Sequence, residues 1–506
     1  MRLSNGSVRL LMMIALVAVM GALIAACGED EEEGSSRTLR IGMLADYDTL
    51  DPPKLLGLPG TITVEATYDV LVMRNPDLTL QPMLATSWEA NDDASEWTFK
   101  LREGVRFAHG KEFTAEDVIY TFNRMFEVES ALASVMAKPT AIVAVDDYTV
   151  RFEFGTPNAV LLESIVKYHA HITPSDVDPA RFALETFGTG PFRMTELVIG
   201  ERAVFERNED YWWEGHPLVD KMEYIFLTSP EARAEALKAG TIDVVFDLEI
   251  SSIQTIEDHP DTKVIVAPSG SYMALAMDVR EAPFDDILVR KAMQAATDRE
   301  AILQGAQFGR GDIAYDHPIP PTATVFNDAC LPPGYDPELA KSLLTRAGYP
   351  EGLDVTLYTS TAGAAMVEMA TVFKERAAPA GINVEIVVVS EDNYWADTWM
   401  KKPFTTVWWG GRPPYEGISV VYVTGAAWGE SFYSNARVDE LLEIAFGQGD
   451  LEDQKETFGE LQCIIVDEVP RIIPVFRPVS LGLRNDVQGM DPMWDGTMTV
   501  HRVYFE

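Results

Sequence analysis

The sequence of 506 residues is poor in the residue types that carry most catalytic and metal chemistry, with three cysteines and seven histidines. It contains no His-Glu-x-x-His, no Gly-x-Ser-x-Gly, no P-loop and no Cys-x-x-Cys. Positive charge is also scarce, because 40 Lys and Arg stand against 79 Asp and Glu, for a formal net charge of −39. Such a charge repels nucleic acids and anionic lipid surfaces. We therefore expect neither a nucleic-acid-binding protein nor an enzyme, and no cofactor.

Long apolar runs are scarce as well, and only residues 10–26 approach the length that spans a bilayer. Two arginines precede this run, small residues end it, and Cys27 and an acidic stretch follow. This order resembles a bacterial lipobox, in which the cysteine is acylated and becomes the mature N-terminus. We expect a signal peptide at 1–26, a lipid on Cys27 and a solvated acidic tether at 27–37. An uncleaved anchor helix and an ordinary export signal are the alternatives.

Such an export route places the protein in the cell envelope, anchored by its lipid outside the cytoplasmic membrane, in a periplasmic space or at the cell surface. The compartment is oxidising, so Cys330 and Cys463 are candidates for a disulfide. Two free buried thiols are the alternative, because sequence does not place them within bonding distance. His169 and His171 lie two residues apart, and we interpret them as surface residues rather than metal ligands.

Strand and helix signals are mixed along the rest of the chain, which indicates an α/β protein. Residues 97–101 and 148–154 alternate between apolar and polar side chains, as half-buried strands do. Helix caps precede apolar helical patterns at Thr114, Ser229 and Asp336. The segments 353–357, 364–378 and 382–389 are predicted to form a strand, a helix and a second strand in one βαβ unit.

A series of short blocks resembles a known family of binding proteins. The blocks are TLDP (49–52), YDVLV (68–72), QPMLATSWE (81–89), WTFKLREGVRF (97–107), FTAEDV (113–118), GTGPF (188–192), NEDYW (208–212), PFDDILVRKA (283–292) and DREAI (298–302). Their order is that of the dipeptide and oligopeptide type of extracellular solute-binding proteins, family 5, which serve ATP-driven importers. The aromatic residues of these blocks are expected in the core, and the glycines of GTGPF at a chain reversal.

The resemblance implies a two-lobed periplasmic-binding-protein type II fold (cluster C), with an extra subdomain inserted in lobe 1. In this chain it implies lobe 1 at 38–268 plus 478–506, the inserted subdomain at 56–184, lobe 2 at 269–477, and crossovers near 268–272 and 474–477. The ligand is then enclosed when the lobes close.

The resemblance also implies which residues line the cleft between the lobes. The matching positions in this chain are Tyr272, Tyr394, Trp395, Trp408, Trp409, Gly410, Arg412 and Glu416. Peptide-binding members usually carry an aspartate at the position of Arg412, where it pairs with the ligand's ammonium group. A guanidinium instead favours a carboxylate or phosphate. Glu416 either takes the acidic role or pairs with Arg412, and a solvent-facing Arg412 is a further alternative.

The expected function is therefore capture of a peptide or peptide-like small solute by a monomeric lipoprotein, which passes it to the permease and ATPase complex of an ABC importer. No metal ligand set and no catalytic residue is predicted. The alternatives are a different solute, such as an opine, an oligosaccharide, a nickel complex or an anionic metabolite, and a receptor or chaperone-like lipoprotein without transport.

Overall fold

The structure is a computed structural model that describes residues 37–506, except 45–46, 48, 56–57, 76–78, 129, 131, 135, 167 and 494–497. The predicted signal peptide and the lipid on Cys27 lie outside these residues. Within the described part, no helix is both long enough and apolar enough to cross a membrane.

Strands and helices are mixed along the chain, as predicted. The strands are β1 (Thr38–Met43), β2 (Val72–Arg74), β3 (Leu80–Pro82), β4 (Ala85–Ala90), β5 (Glu96–Leu101), β6 (Ala141–Asp146), β7 (Thr149–Glu153), β8 (Phe192–Val198), β9 (Arg202–Arg207), β10 (Lys221–Phe226), β11 (Val244–Val245), β12 (Thr262–Ala267), β13 (Tyr272–Met277), β14 (Asp312–Ile313), β15 (Leu353–Thr359), β16 (Ile382–Val388), β17 (Phe404–Trp409), β18 (Arg471–Phe476), β19 (Val479–Arg484), β20 (Val487–Gln488) and β21 (Tyr504–Phe505). The α-helices of the described residues are Leu58–Thr67, Ala115–Glu127, Leu161–Ile165, Pro230–Lys238, Ile250–Glu257, Ile287–Ala295, Arg299–Gln307, Pro337–Arg346, Met366–Ala377, Glu391–Asn393, Pro414–Ser419, Ala436–Gly447 and Leu451–Glu468.

Two large mixed sheets organise the fold. One has the strand order β12-β19-β11-β1-β10-β9-β8, and the other has the order β14-β18-β13-β17-β15-β16. Two connections link the sheets, from β12 to β13 and from β18 to β19. A mixed α/β fold of this kind confirms the predicted fold class.

The predicted caps and the βαβ unit are confirmed. Ser229 accepts a hydrogen bond from the Ala232 N–H at 3.2 Å, and Asp336 accepts one from the Leu339 N–H at 2.9 Å. Asp117 closes the third cap by accepting the backbone N–H of Thr114 at 3.0 Å. β15 and β16 pair in parallel, with the helix Met366–Ala377 between them in sequence.

A third sheet, with the order β4-β5-β7-β6, has its own core. Trp97, Phe99 and Phe107 are buried there, as predicted, with the helix Ala115–Glu127 packed on them. Trp88 of β4 is only half-buried against the same core.

The chain bends at 189–191, and Gly188 and Gly190 also serve a purpose beyond the predicted chain reversal. Neither adopts the left-handed conformation that a turn glycine provides. A Cβ on Gly188 would lie 2.2 Å from the Thr67 carbonyl oxygen, and one on Gly190 would lie 2.5 Å from the Thr67 carbonyl carbon. The two glycines therefore allow close packing against the end of the helix Leu58–Thr67.

The structure places Cys330, Cys463, His169 and His171. Cys330 and Cys463 form a disulfide with a Cα–Cα distance of 5.0 Å, which fixes a long loop to the helix Leu451–Glu468. The prediction that His169 and His171 lie at the surface is wrong, because both are buried beside the third sheet. There a ring nitrogen of His169 lies 3.1 Å from the Leu55 carbonyl oxygen.

Two other buried histidines predict how stability depends on pH. Burial lowers the pKa of His317 and of His501 from 6.5 to about 3. Below pH 6.5 the unfolded chain therefore binds protons that the folded protein excludes, so stability falls as the pH falls. Between pH 7 and pH 5 each histidine should lower the free energy of unfolding by about 2 kcal/mol. Urea unfolding of the wild type, His317→Gln and His501→Gln tests this. An equally steep pH dependence in all three proteins would contradict it.

Candidate functional site

Both large sheets direct the carboxyl ends of their parallel strands towards the two connections. In the second sheet these are the ends of β15, β16 and β17. In the first sheet they are the ends of β1, β10 and β11. Ligands of open α/β sheets bind outside such ends. We call the region formed by 268–272, 409–412 and 476–479 the crossover edge, and it is the candidate site.

Hydrogen bonds tie the two connections to each other and to β17. The Ser269 hydroxyl donates to the Arg477 carbonyl and the Arg477 N–H donates to the Ser271 carbonyl, both at 2.7 Å. The Ser271 hydroxyl donates to the Trp409 carbonyl at 2.8 Å. Close packing adds to this, since a Cβ on Gly270 would lie 3.2 Å from the Cα of Gly411. The crossover edge is thus built from three chain segments far apart in sequence.

Tyr272 and Trp409, both predicted site residues, lie side by side at this edge. They are register partners of β13 and β17, and their rings stack with centroids 6.5 Å apart. Both side chains are buried. The Trp409 indole N–H donates to the Glu430 carboxylate at 3.1 Å.

A buried ion pair lies beneath these two rings. Arg471 pairs with Glu430, and both side chains have no exposed surface. The same guanidinium donates to the Tyr272 hydroxyl and, at 2.9 Å, to the Tyr422 hydroxyl. Burial raises the pKa of Glu430, and the charge of Arg471 opposes that rise. Sequence reasoning missed this cluster, because its members lie on separate elements and match no motif.

Arg412 and Glu416 form a second ion pair on the outer side of Trp409. The structure thus joins two predicted site residues to each other. The Cζ of Arg412 lies 5.2 Å from the ring centroid of Trp409 and 5.2 Å from that of Trp428. Its side chain is 25% exposed and that of Glu416 is 10% exposed. Trp428 is a further residue that sequence reasoning missed.

The remaining predicted aromatic residues divide between the interior and the surface. Tyr394 is fully buried, and its hydroxyl donates to the Thr406 carbonyl of β17. Trp395 and Trp408 each expose 40% of their surface. Trp408 points to the opposite face of β17 from Trp409, as successive strand residues do. Gly410 follows the strand, with open space where a side chain would stand.

An open cavity of about 540 Å³ is lined in part by Tyr415, the residue before Glu416. Tyr415, next to the Arg412–Glu416 pair, and Phe446 form part of one wall, and Met136 and Thr156 form part of the other. Beside it, the N–H of Ala159 donates to the Phe446 carbonyl at 3.0 Å. The cavity therefore lies between the loops around the third sheet and the helices that follow β17.

Comparison with known proteins finds relatives along most of the chain. The protein is 27% identical over 497 residues to heme-binding protein A of Haemophilus influenzae, which covers 87% of this chain and 89% of that protein. It is 25% identical over 445 residues to a dipeptide-binding protein of Pseudomonas aeruginosa, and the alignment covers 79% of this chain and 82% of that protein. The fold is shared with a periplasmic binding protein from Helicobacter pylori solved with a peptide, at a TM-score of 0.80 and 24% identity, over 93% of this chain and 98% of that one.

The model of one family matches residues 79–428, and its description is "Bacterial extracellular solute-binding proteins, family 5 Middle". This match covers more than half of the chain and includes Tyr272, Trp409 and Arg412 of the crossover edge, and also Trp428. The protein belongs to the family 5 bacterial extracellular solute-binding proteins.

Proposed function

We propose that the protein is the solute-binding component of an ABC importer and captures a peptide or peptide-like small solute at the crossover edge. The observation that carries the proposal is the convergence of two sheets, two connections and a cluster of aromatic and charged side chains on one edge. A relative named as a dipeptide-binding protein and a similar fold solved with a peptide support the solute class. The role is binding without catalysis.

Capture involves the closing of two lobes, one around each large sheet. The proposed lobes are 38–268 plus 478–506, with an inserted subdomain at 56–184, and 269–477. Only two short connections join the two sheets, an arrangement suited to a hinge. The protein acts as a monomer that presents its solute to a permease and ATPase complex.

The solute lies against the exposed parts of the predicted site residues. Trp408 and Trp395 provide apolar surface, and the Arg412–Glu416 pair provides polar groups. Trp409 supports the Arg412–Glu416 pair, with Tyr272 stacked beside it, and Tyr394 supports β17 through its hydrogen bond to the Thr406 carbonyl. A site with apolar walls and a few fixed polar groups is typical of small-molecule recognition.

The protein reaches its place of action as a lipoprotein. The apolar run ending at Cys27 supports cleavage after residue 26 and acylation of the cysteine, which holds the protein outside the cytoplasmic membrane. Labelling of cells with a tagged fatty acid tests this. The wild type should take up the label and Cys27→Ser should not, whereas equal labelling of both would contradict the proposal.

Calorimetry with a solute panel tests the solute class. The panel contains dipeptides, tripeptides, tetrapeptides and glutathione, each with a free and with an acetylated amino group, and an opine, an oligosaccharide and a nickel–histidine complex for comparison. At least one peptide should bind with micromolar or tighter affinity. No heat with any peptide, together with binding of another class, would contradict the peptide proposal and leave the binding role intact.

A further inference from the structure

Two tryptophans and a carboxylate around Arg412 of the crossover edge have the composition of a cation-binding site. The Trp409 and Trp428 centroids are 5.9 Å apart, with their planes inclined at 53°. Glu416 lies beside them, and its side chain is nine-tenths buried. Aromatic faces within about 6 Å of a cation attract it, and a nearby carboxylate adds to that attraction. We call Trp409, Trp428 and Glu416 the cation box.

The chain's own Arg412 occupies this box. Its guanidinium carbon lies 5.2 Å from both ring centroids and its terminal nitrogen pairs with Glu416. Its Nε is buried and has no hydrogen-bond acceptor among the described residues. The two rings and the carboxylate therefore hold the group.

The charges around the two rings indicate how Arg412 affects the binding of a positively charged solute group. Two cations, Arg412 and Arg471, and two anions, Glu416 and Glu430, surround the rings, so their charges cancel. Without Arg412, Glu416 loses this cation, and a space the size of a guanidinium with its alkyl chain opens beside the two rings. A solute cation at this place has to displace Arg412 and break its pair with Glu416.

We infer that Trp409, Trp428 and Glu416 form a cation-binding box that Arg412 keeps occupied, so that this end of the site selects solutes without a positive group. The existence of the cation box does not depend on which solute the protein binds. The selectivity against positively charged solutes rests on the proposed function, because it assumes that the solute binds at the crossover edge. Arg412 is then a specificity-determining residue that acts by exclusion.

Chemical rescue tests the box without any solute. Arg412→Ala is titrated with ethylguanidinium, with sodium chloride at equal ionic strength as the reference. Ethylguanidinium at 50 mM should raise the variant's midpoint of thermal unfolding by about 2 °C and leave the wild type unchanged. Arg437→Ala is the matched control, since Arg437 also pairs with glutamates but contacts no aromatic ring in the described residues. It should show no rescue.

Several results would overturn the box. They are no rescue of Arg412→Ala, equal rescue of Arg437→Ala, and rescue that persists when Glu416→Gln is added to Arg412→Ala. Circular dichroism checks the fold of each variant. Arg412→Ser repeats the titration if the alanine variant does not fold.

A pair of solutes tests the selection. Calorimetry compares alanyl-leucine, which carries a free ammonium, with its N-acetyl derivative. The wild type should bind the acetylated form at least as tightly, and Arg412→Ala should shift the ratio towards the free dipeptide by roughly tenfold. An unchanged ratio contradicts the selection. Rescue by ethylguanidinium without binding of any peptide contradicts the proposed function and not the box.

Discussion

Replacing Arg471 by methionine is expected to lower the free energy of unfolding by about 4 kcal/mol. The substitution leaves the Glu430 carboxylate with no exposed surface and no cation beside it. It also removes the donor to the Tyr272 and Tyr422 hydroxyls. A buried charge without its partner is among the most destabilising changes in a protein core. Urea unfolding of wild type and variant at pH 7 measures the effect.

Two further variants show whether the unpaired charge is the cause. The double variant Arg471→Met with Glu430→Gln removes both charges and keeps an acceptor for the Trp409 indole, so it should recover most of the lost stability. Arg437→Met breaks only exposed pairs, so its unfolding midpoint should stay close to that of the wild type. Equal losses for Arg471→Met and Arg437→Met would show that the buried pair does not stabilise the crossover edge.

Replacing Trp408 by alanine is expected to weaken solute binding by roughly 70-fold. Trp408 leaves 40% of its surface exposed at the carboxyl edge of β17. If the solute covers this surface, about 100 Å² of apolar area is buried on binding, worth about 2.5 kcal/mol at about 25 cal/mol per Å². The measurement is calorimetric titration with a solute identified by the panel.

A control variant at a second exposed apolar side chain tests whether the location of Trp408 matters for solute binding. Ile199→Ala removes an apolar side chain that is 68% exposed at the turn between β8 and β9, which β11, β1 and β10 separate from β19 in the first sheet. It should leave the affinity unchanged. Because more than half of the Trp408 side chain is buried, Trp408→Ala should also lower the midpoint of thermal unfolding, so circular dichroism checks that the variant is folded at the titration temperature. An unchanged affinity in Trp408→Ala would remove this residue from the site.

Local sequence signals predicted much of the fold because they act within a few residues. The caps at Ser229 and Asp336 and the βαβ unit at 353–388 all follow from short patterns of propensity and hydrogen bonding. The class of the fold and the family followed from many such blocks in order. Local signals did not predict the packing role of Gly188. A glycine is needed there because the backbone of Thr67, from a helix distant in sequence, approaches it closely.

The candidate site was predicted only in part, because it is built by contacts across the chain. Tyr272 and Arg471 are 199 residues apart in sequence and meet through the pairing of β13 with β18. Nothing local distinguishes Glu430 or Trp428 from other acidic or aromatic residues. The Trp408–Trp409 pair was visible in the sequence, but which ring faces solvent depends on the register of β17.

Hydrogen–deuterium exchange with and without a solute identified by calorimetry tests the central claim most directly. Binding at the crossover edge should slow exchange in 268–272, 404–412 and 476–479, which come from three distant parts of the sequence. The helix Pro337–Arg346, which precedes the amino end of β15 at the opposite side of the sheet, should exchange at an unchanged rate. Protection confined to other segments, with none at the crossover edge, would contradict the account.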